Sequence, residues 1–346
     1  MRLCLASAFV AAAAMASHLN NSSGVIVEGP FPQDLHGSNF TYPFPIKLFR
    51  FSSQNQPLEM AFMDLAPTPS LKRQKVAVLL HGKNFCAATW GETASVLQAQ
   101  GYRVILPDQV GFCKSSKPRD YQFSLPQLAL NTFSLLHALN ITESDEVTIV
   151  GHSLGGMLAI RFTLLYPDMA TNLVLTNPIG LEDYLAEGVP YLDISAHLAS
   201  EAETNYASIK AYEQATYYQG DWIEDYDVWA RMLSAVYAGS EREAFLEAQA
   251  RVVDMVLTQP VANDVSRVKT KRGVLLVVGT KDTTAIGKQW SPPNVAKRLG
   301  KFNALGKATQ TKIANCTLVE FEDSGHAPQI QDPERFNGAL LKWLKR

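Results

Sequence analysis

A serine hydroxyl attacks a carbonyl only when a base takes its proton and an acidic group fixes that base in the right tautomer. The chain carries a candidate for each role, far apart along its 346 residues: Ser153, His326 and Asp282. Ser153 sits in Gly151-His152-Ser153-Leu154-Gly155, a G-x-S-x-G pattern. Residues 147–150 before it are a short β-branched run that reads as a buried strand, and 157–166 after it read as a helix. Strand, sharp turn and helix is the setting in which this pattern presents a nucleophile. Side chains two residues before and two after the serine would collide in such a turn, and both places are glycine. Gly156 lets the new helix pack close to its neighbours. The Leu154 N–H falls near the helix N-terminus, where a developing negative charge is stabilised.

The base and the acid also follow apolar runs. Asp282 comes just after 274–278, and His326 stands in Ser324-Gly325-His326-Ala327-Pro328 after 317–321. His152 is a rival base, but on a turn its side chain is expected to point away from Ser153. Asp254 and Asp323 compete as the acid; Asp282 is preferred for its position after the strand. No His/Cys/Glu set has metal-ligand spacing, so neither a metal nor a cofactor is expected.

Short apolar runs that alternate with helical stretches must position these residues. Strands are expected at 46–51, 58–65, 76–80, 103–106, 147–150, 173–176, 274–278 and 317–321. Helices are expected at about 89–100, 125–139, 157–166 and 334–344. This alternation predicts an α/β fold with a mostly parallel twisted sheet, helices on both faces and an antiparallel edge from the first two strands. Ligands in such sheets bind beyond the carboxyl ends of the strands, where Ser153, Asp282 and His326 all fall. Residues 181–267 interrupt the pattern. They are helical in texture and rich in tyrosine, from Tyr184 to Tyr237, with Trp222 and Trp229. They read as an inserted helical lid whose aromatic side chains divide between its own core and the wall of a pocket.

Bulk properties narrow the partners. A net charge of −2 with 18% charged residues gives no basic patch for nucleic acid. Arg2 followed by the apolar run 3–16, with Ala14-Met15-Ala16 before Ser17, reads as a secretory signal peptide. That run is too short to span a bilayer, so no stable membrane insertion is expected. N-x-S/T sites at Asn20, Asn21, Asn39, Asn140 and Asn315 agree with export along a eukaryotic secretory route. The organisation is therefore a leader at 1–16, a core at 17–180, the lid at 181–267 and the rest of the core at 268–346. Residues 17–33 read as a polar lead-in, and Pro67 to Lys75 as a surface connection. Cys4 leaves with the leader. Cys86 and Cys113, both in loops at one end of the sheet, either pair or remain free thiols alongside Cys316.

Four elements together resemble the α/β-hydrolase superfamily from about Ile46 to the C-terminus. They are His81-Gly82 after an apolar strand, Asp108-x-x-Gly111-x-x-x-Ser115 after the next, Gly151-His-Ser-Leu-Gly-Gly156, and Gly279-x-x-Asp282 followed by Gly325-His326. The chain is similar to lid-bearing, esterase-like members related to epoxide hydrolases and haloalkane dehalogenases. Those two groups use an aspartate nucleophile where this chain has Ser153, which argues against both activities. The resemblance implies a second oxyanion donor just after His81-Gly82, the Lys83 N–H, acting with the Leu154 N–H. It leaves the Lys83 side chain at the pocket mouth or, by preference, in solvent. Cys113 stands where a second glycine is common.

The expected function is that of a secreted serine hydrolase that cleaves a small apolar or aromatic carboxylic ester through an acyl-enzyme. The same triad serves amide, lactone or C–C hydrolysis, and a non-catalytic binding protein on this fold is the alternative from another class. Oligomeric state and natural substrate are not legible in the sequence.

Overall fold

The computed structural model describes residues 24–67 and 74–346. The expected leader, Asn20, Asn21 and part of the surface connection (Pro69, Lys72, Arg73) lie outside the described residues. Nine strands form one sheet: β1 (Val25–Glu28), β2 (Ile46–Ser53), β3 (Gln56–Leu65), β4 (Lys75–Leu80), β5 (Tyr102–Pro107), β6 (Glu146–His152), β7 (Ala170–Thr176), β8 (Gly273–Gly279) and β9 (Cys316–Phe321). Their spatial order is β1-β2-β3-β5-β4-β6-β7-β8-β9. The first three strands run antiparallel and the remaining six pair in parallel. The antiparallel edge is one strand longer than the sequence suggests. β1 comes from the stretch read as a polar lead-in; its four residues are too few to show a period, and pairing with β2 makes them a strand.

The central strands are buried on both faces, as parallel strands covered by helices must be. Along β4 the pleat sends Val76, Val78 and Leu80 into one apolar layer and Ala77 and Leu79 into the other. The second layer is closed by α1 (Gly91–Ala99), through Ala94 and Leu97, and by the C-terminal helix Pro333–Leu344, through Phe336, Leu340 and Trp343. The first layer is closed by α2 (Leu125–Ala138) and α3 (Leu154–Leu165), whose Leu128, Leu135, Leu158 and Phe162 are buried against the sheet. Burying one such leucine or phenylalanine is worth about 1.5–3 kcal/mol, so these layers hold the strand ends rigidly.

Between β7 and β8 the chain makes four helices: α4 (Ile194–Ala202), α5 (Tyr206–Thr216), α6 (Glu224–Tyr237) and α7 (Arg242–Thr258). Their starts are written locally. Asp193 accepts from the Ala196 N–H, and Asn205 with Ser208 closes a capping box at the start of α5. Their buried side chains, such as Ile209, Leu233 and Phe245, continue the apolar layer of α2 and α3. A further helix, α8 (Phe302–Lys312), lies between β8 and β9 and was not expected from its mostly polar sequence. The C-terminal helix is α9. Among the described residues no helix is long and apolar enough to cross a membrane.

Candidate active site

Ser153 is the residue between β6 and α3, with φ 55° and ψ −120°. A non-glycine residue at positive φ costs about 1–3 kcal/mol and persists only where its surroundings over-determine it. Here they do. A Cβ on Gly151 would lie 2.1 Å from the Gly155 carbonyl oxygen, and one on Gly155 would lie 2.2 Å from that of Leu80. The turn can close only with both side chains absent. A Cβ on Gly82 would come within 3.0 Å of Ser153 Cβ, so the loop after β4 passes directly beside the serine.

The sheet edge brings Asp282 and His326 together. His326 Nδ1 and Asp282 Oδ2 are 2.6 Å apart, and both side chains are fully buried. The same Oδ2 accepts from Asn177 Nδ2 at 2.7 Å, and Oδ1 accepts from the Thr284 N–H at 2.7 Å. Asn177 also accepts from the Gly279 N–H through Oδ1. It therefore aligns the end of β8 and the carboxylate at once. With the carboxylate as acceptor, the His326 proton belongs on Nδ1 and Nε2 is left as the basic nitrogen. Nε2 makes no hydrogen bond, so it is not joined to the Ser153 hydroxyl.

The two histidines beside the serine turn, His152 and His81, are braces. His152 Nε2 meets the His326 carbonyl oxygen at 2.8 Å, and its ring lies 4.9 Å from the His326 ring. Burial, with His326 beside it, holds its pKa well below the ordinary value, so it stays neutral and donates. His81 accepts from the Gln109 N–H through Nε2 and faces the Gly82 carbonyl through Nδ1. That leaves its proton on Nδ1 and ties the loop after β4 to the loop after β5. The competing acids fall away: Asp323 is an exposed partner of Arg335, and Asp254 accepts from Tyr191.

Cys86 and Cys113 form a disulfide between the same two loops. Cys113, in the place where glycine is common, adopts φ 44°, so the loop keeps a left-handed residue there. Cys86, Asp108 and Cys113 gather metal-type ligand atoms, but the sulfurs are bonded to each other. Asp108 is occupied by the N–H groups of Ala87 and Lys114 and by the Tyr42 hydroxyl.

A cavity of about 250 Å³ opens over Ser153. A larger surface groove, about 680 Å³, runs past Phe40 and Trp229 and contains none of Ser153, Asp282 or His326. Of the tyrosines between β7 and β8, Tyr212, Tyr217 and Tyr237 line the cavity, whereas Tyr218 and Tyr226 stack on each other in the interior at 3.8 Å. The Tyr217 ring also covers His326 at 4.7 Å, and its carbonyl accepts the His326 N–H. The Lys83 side chain does not reach into solvent as expected. It turns into the cavity, where Nζ pairs with Glu201 Oε1 of α4 at 2.7 Å. The sequence could not show this, because the partner lies 118 residues away. Trp290, His197 and Glu201, also unforeseen, complete the wall.

A family model described as the alpha/beta hydrolase family matches residues 77–339. The solved structure of a probable hydrolytic enzyme from Pseudomonas aeruginosa superposes with a TM-score of 0.84 at 47% identity, covering 88% of this chain and 96% of that one. A putative carbamate hydrolase, RutD, of Pantoea ananatis is 26% identical over 79% of this chain and 89% of its own length. Lipase 1 of Psychrobacter immobilis is 25% identical over 73% of this chain and 72% of its own.

Proposed function

The chain belongs to the alpha/beta hydrolase family, and from that footing we propose that it is a secreted serine hydrolase cleaving a carboxylic ester of a small molecule. The observation that carries this reading is the buried Asp282–His326 bond beside the Ser153 turn. In the proposed cycle the Ser153 hydroxymethyl group rotates toward His326 Nε2, gives up its proton there and attacks the ester carbonyl. Such bonds are often open in a free enzyme and tighten with substrate bound. The N–H groups of Leu154 and Lys83 hold the oxyanion, each worth about 10²–10³ in rate. Protonated His326, steadied by Asp282, gives its proton to the leaving alcohol. A water deprotonated by the same ring then releases the acid.

The stretch between β7 and β8 acts in this reading as a lid over the acyl-enzyme. Its tyrosines, with Trp290 from the segment after β8, favour an ester with apolar or aromatic parts. The apolar leader pattern after Arg2 supports secretion, and the exposed Asn39 and Asn140 suit glycan attachment.

The test is labelling with a fluorophosphonate, then a panel of p-nitrophenyl acyl esters set against aminoacyl amides. Wild-type protein should label at Ser153 and release nitrophenol, and Ser153→Ala should lose both, with turnover down by about 10⁶. Retained turnover in that variant rules the mechanism out. Cleavage of the amides alone moves the assignment from ester to amide hydrolysis.

A further inference from the structure

One end of the cavity is polar in a way that ester hydrolysis does not require. Lys83 Nζ, Glu201 and Tyr237 form a chain of contacts there, with the Tyr237 hydroxyl donating to Glu201 Oε2 and Lys83 paired to Oε1. Both carboxylate oxygens are thus occupied. The ammonium has three N–H donors, and only one goes to Glu201. The other two are left for whatever enters. Beside them is His197, 3% exposed, whose buried Nε2 has no partner in the chain. Burial lowers the His197 pKa, which keeps that ring neutral.

Resting on the ester-hydrolase reading, we infer that Lys83, Glu201 and His197 form a recognition subsite for an uncharged hydrogen-bond acceptor on the substrate, such as a ketone or amide carbonyl or a hydroxyl. Charge decides the class. The pair is neutral overall, so a carboxylate drawn to Lys83 would meet Glu201 at nearly the same distance. An alkyl terminus would bury the two ammonium donors unpaired, which a site built to hydrogen-bond rejects strongly. A neutral acceptor satisfies the donors without either penalty. Position limits length. Lys83 follows Gly82, where an added Cβ would lie 3.0 Å from Ser153 Cβ, and a lysine side chain spans about 6 Å. The acceptor therefore lies roughly three to five bonds from the reacting carbonyl.

Ethyl pentanoate, ethyl 4-oxopentanoate and monoethyl succinate are matched in length and test this by proton release in a pH-stat. Wild-type kcat/KM should favour the oxo ester over the pentanoate by about tenfold, with the succinate no better than the pentanoate. Lys83→Met should bring the oxo-to-alkyl ratio close to one. Glu201→Gln, which keeps shape but leaves the ammonium uncompensated, should raise the succinate-to-alkyl ratio about tenfold. Each ratio is internal to one variant, so a general loss of activity does not disturb it. If Lys83→Met fails to fold, the Glu201→Gln ratio decides. Equal handling of all three esters by wild-type protein that labels at Ser153, or ratios unmoved in the variants, overturns the subsite alone. Absence of both labelling and ester turnover overturns the hydrolase reading, and the subsite with it.

Discussion

Below the cavity, the side chains that fix the proposed machinery are bonded to the chain itself: Asp282 by Asn177 and Thr284, His152 by the His326 carbonyl, His81 by Gln109. In the segment above it, Glu213 of α5 is fully buried with neither carboxylate oxygen bonded by the chain, and the hydroxyl of Tyr218 in the α5–α6 connection and His197 Nε2 have no partner either. The floor has open atoms too, among them Gln109 Nε2, Thr284 Oγ1 and His326 Nε2, and the last of these is the atom expected to take and return a proton. The acid and the bracing histidines of the floor are therefore held by directed bonds, which need particular residues. The upper helices have such bonds at Glu201 and at their caps, but around Glu213 and Tyr218 they rest on apolar burial, which tolerates many residues and leaves room for polar atoms to serve a ligand or to cost stability.

The most severe way to break this contrast is to alter one bond of the floor. Asp282→Asn keeps the shape but places an amide opposite Nδ1, so His326 would favour the wrong tautomer; kcat should fall by about 10⁴, measured on any ester turned over. A change of that size in a helix above the cavity would mean the two regions are not distinct. Next comes the Cys86–Cys113 bridge. Replacing both with alanine should lower unfolding stability by about 3.5 kcal/mol in urea titration, because a 27-residue separation in the unfolded chain is no longer closed.

Glu213→Gln should do the opposite and stabilise. Burial pushes the Glu213 carboxyl up to about 8. Below the ordinary carboxyl pKa of 4.5 the acid is neutral folded and unfolded alike. As pH rises from there toward 8, the unfolded chain loses a proton that the folded chain keeps, so wild-type stability should fall across that window. The glutamine variant should lack this slope and exceed wild type by roughly 2–3 kcal/mol at pH 7, read by thermal unfolding at several pH values. A variant less stable at every pH would show that Glu213 has a partner. The mildest effect is expected at Asn177→Ala. It removes one of several bonds to Asp282, and should cost about tenfold in kcat with KM unchanged.

What was legible in the sequence follows the same division. The Ser153 turn could be read because strand, glycines and helix are consecutive, and Asp282 and His326 because each stands just past an apolar run. Asn177 was visible only as the end of a strand. Its left-handed φ of 39° and its bond to a carboxylate 105 residues later depend on β7 and β8 being neighbours. The inward turn of Lys83 depends in the same way on α4 supplying Glu201. β1 and α8 escaped notice because both are short of apolar periodicity and take their order from what they pack against. Cys113 is instructive in a different sense: it stands where a second glycine is common, and it keeps a left-handed φ of 44° there while carrying the disulfide to Cys86.

The contact between Tyr217 and the His326 loop bears on how such proteins can be recombined. Gly325 is stripped of a side chain by the Tyr217 carbonyl, which a Cβ would approach to 2.1 Å, and the His326 N–H is bonded to that same oxygen. A chimera that imports the four-helix segment from a homologue would carry a foreign residue 217 onto the backbone that seats the imidazole. Substrate range and proton transfer would then change together, and a graft made to widen the first should be cut so that residues 216–218 and 324–326 travel as a matched set.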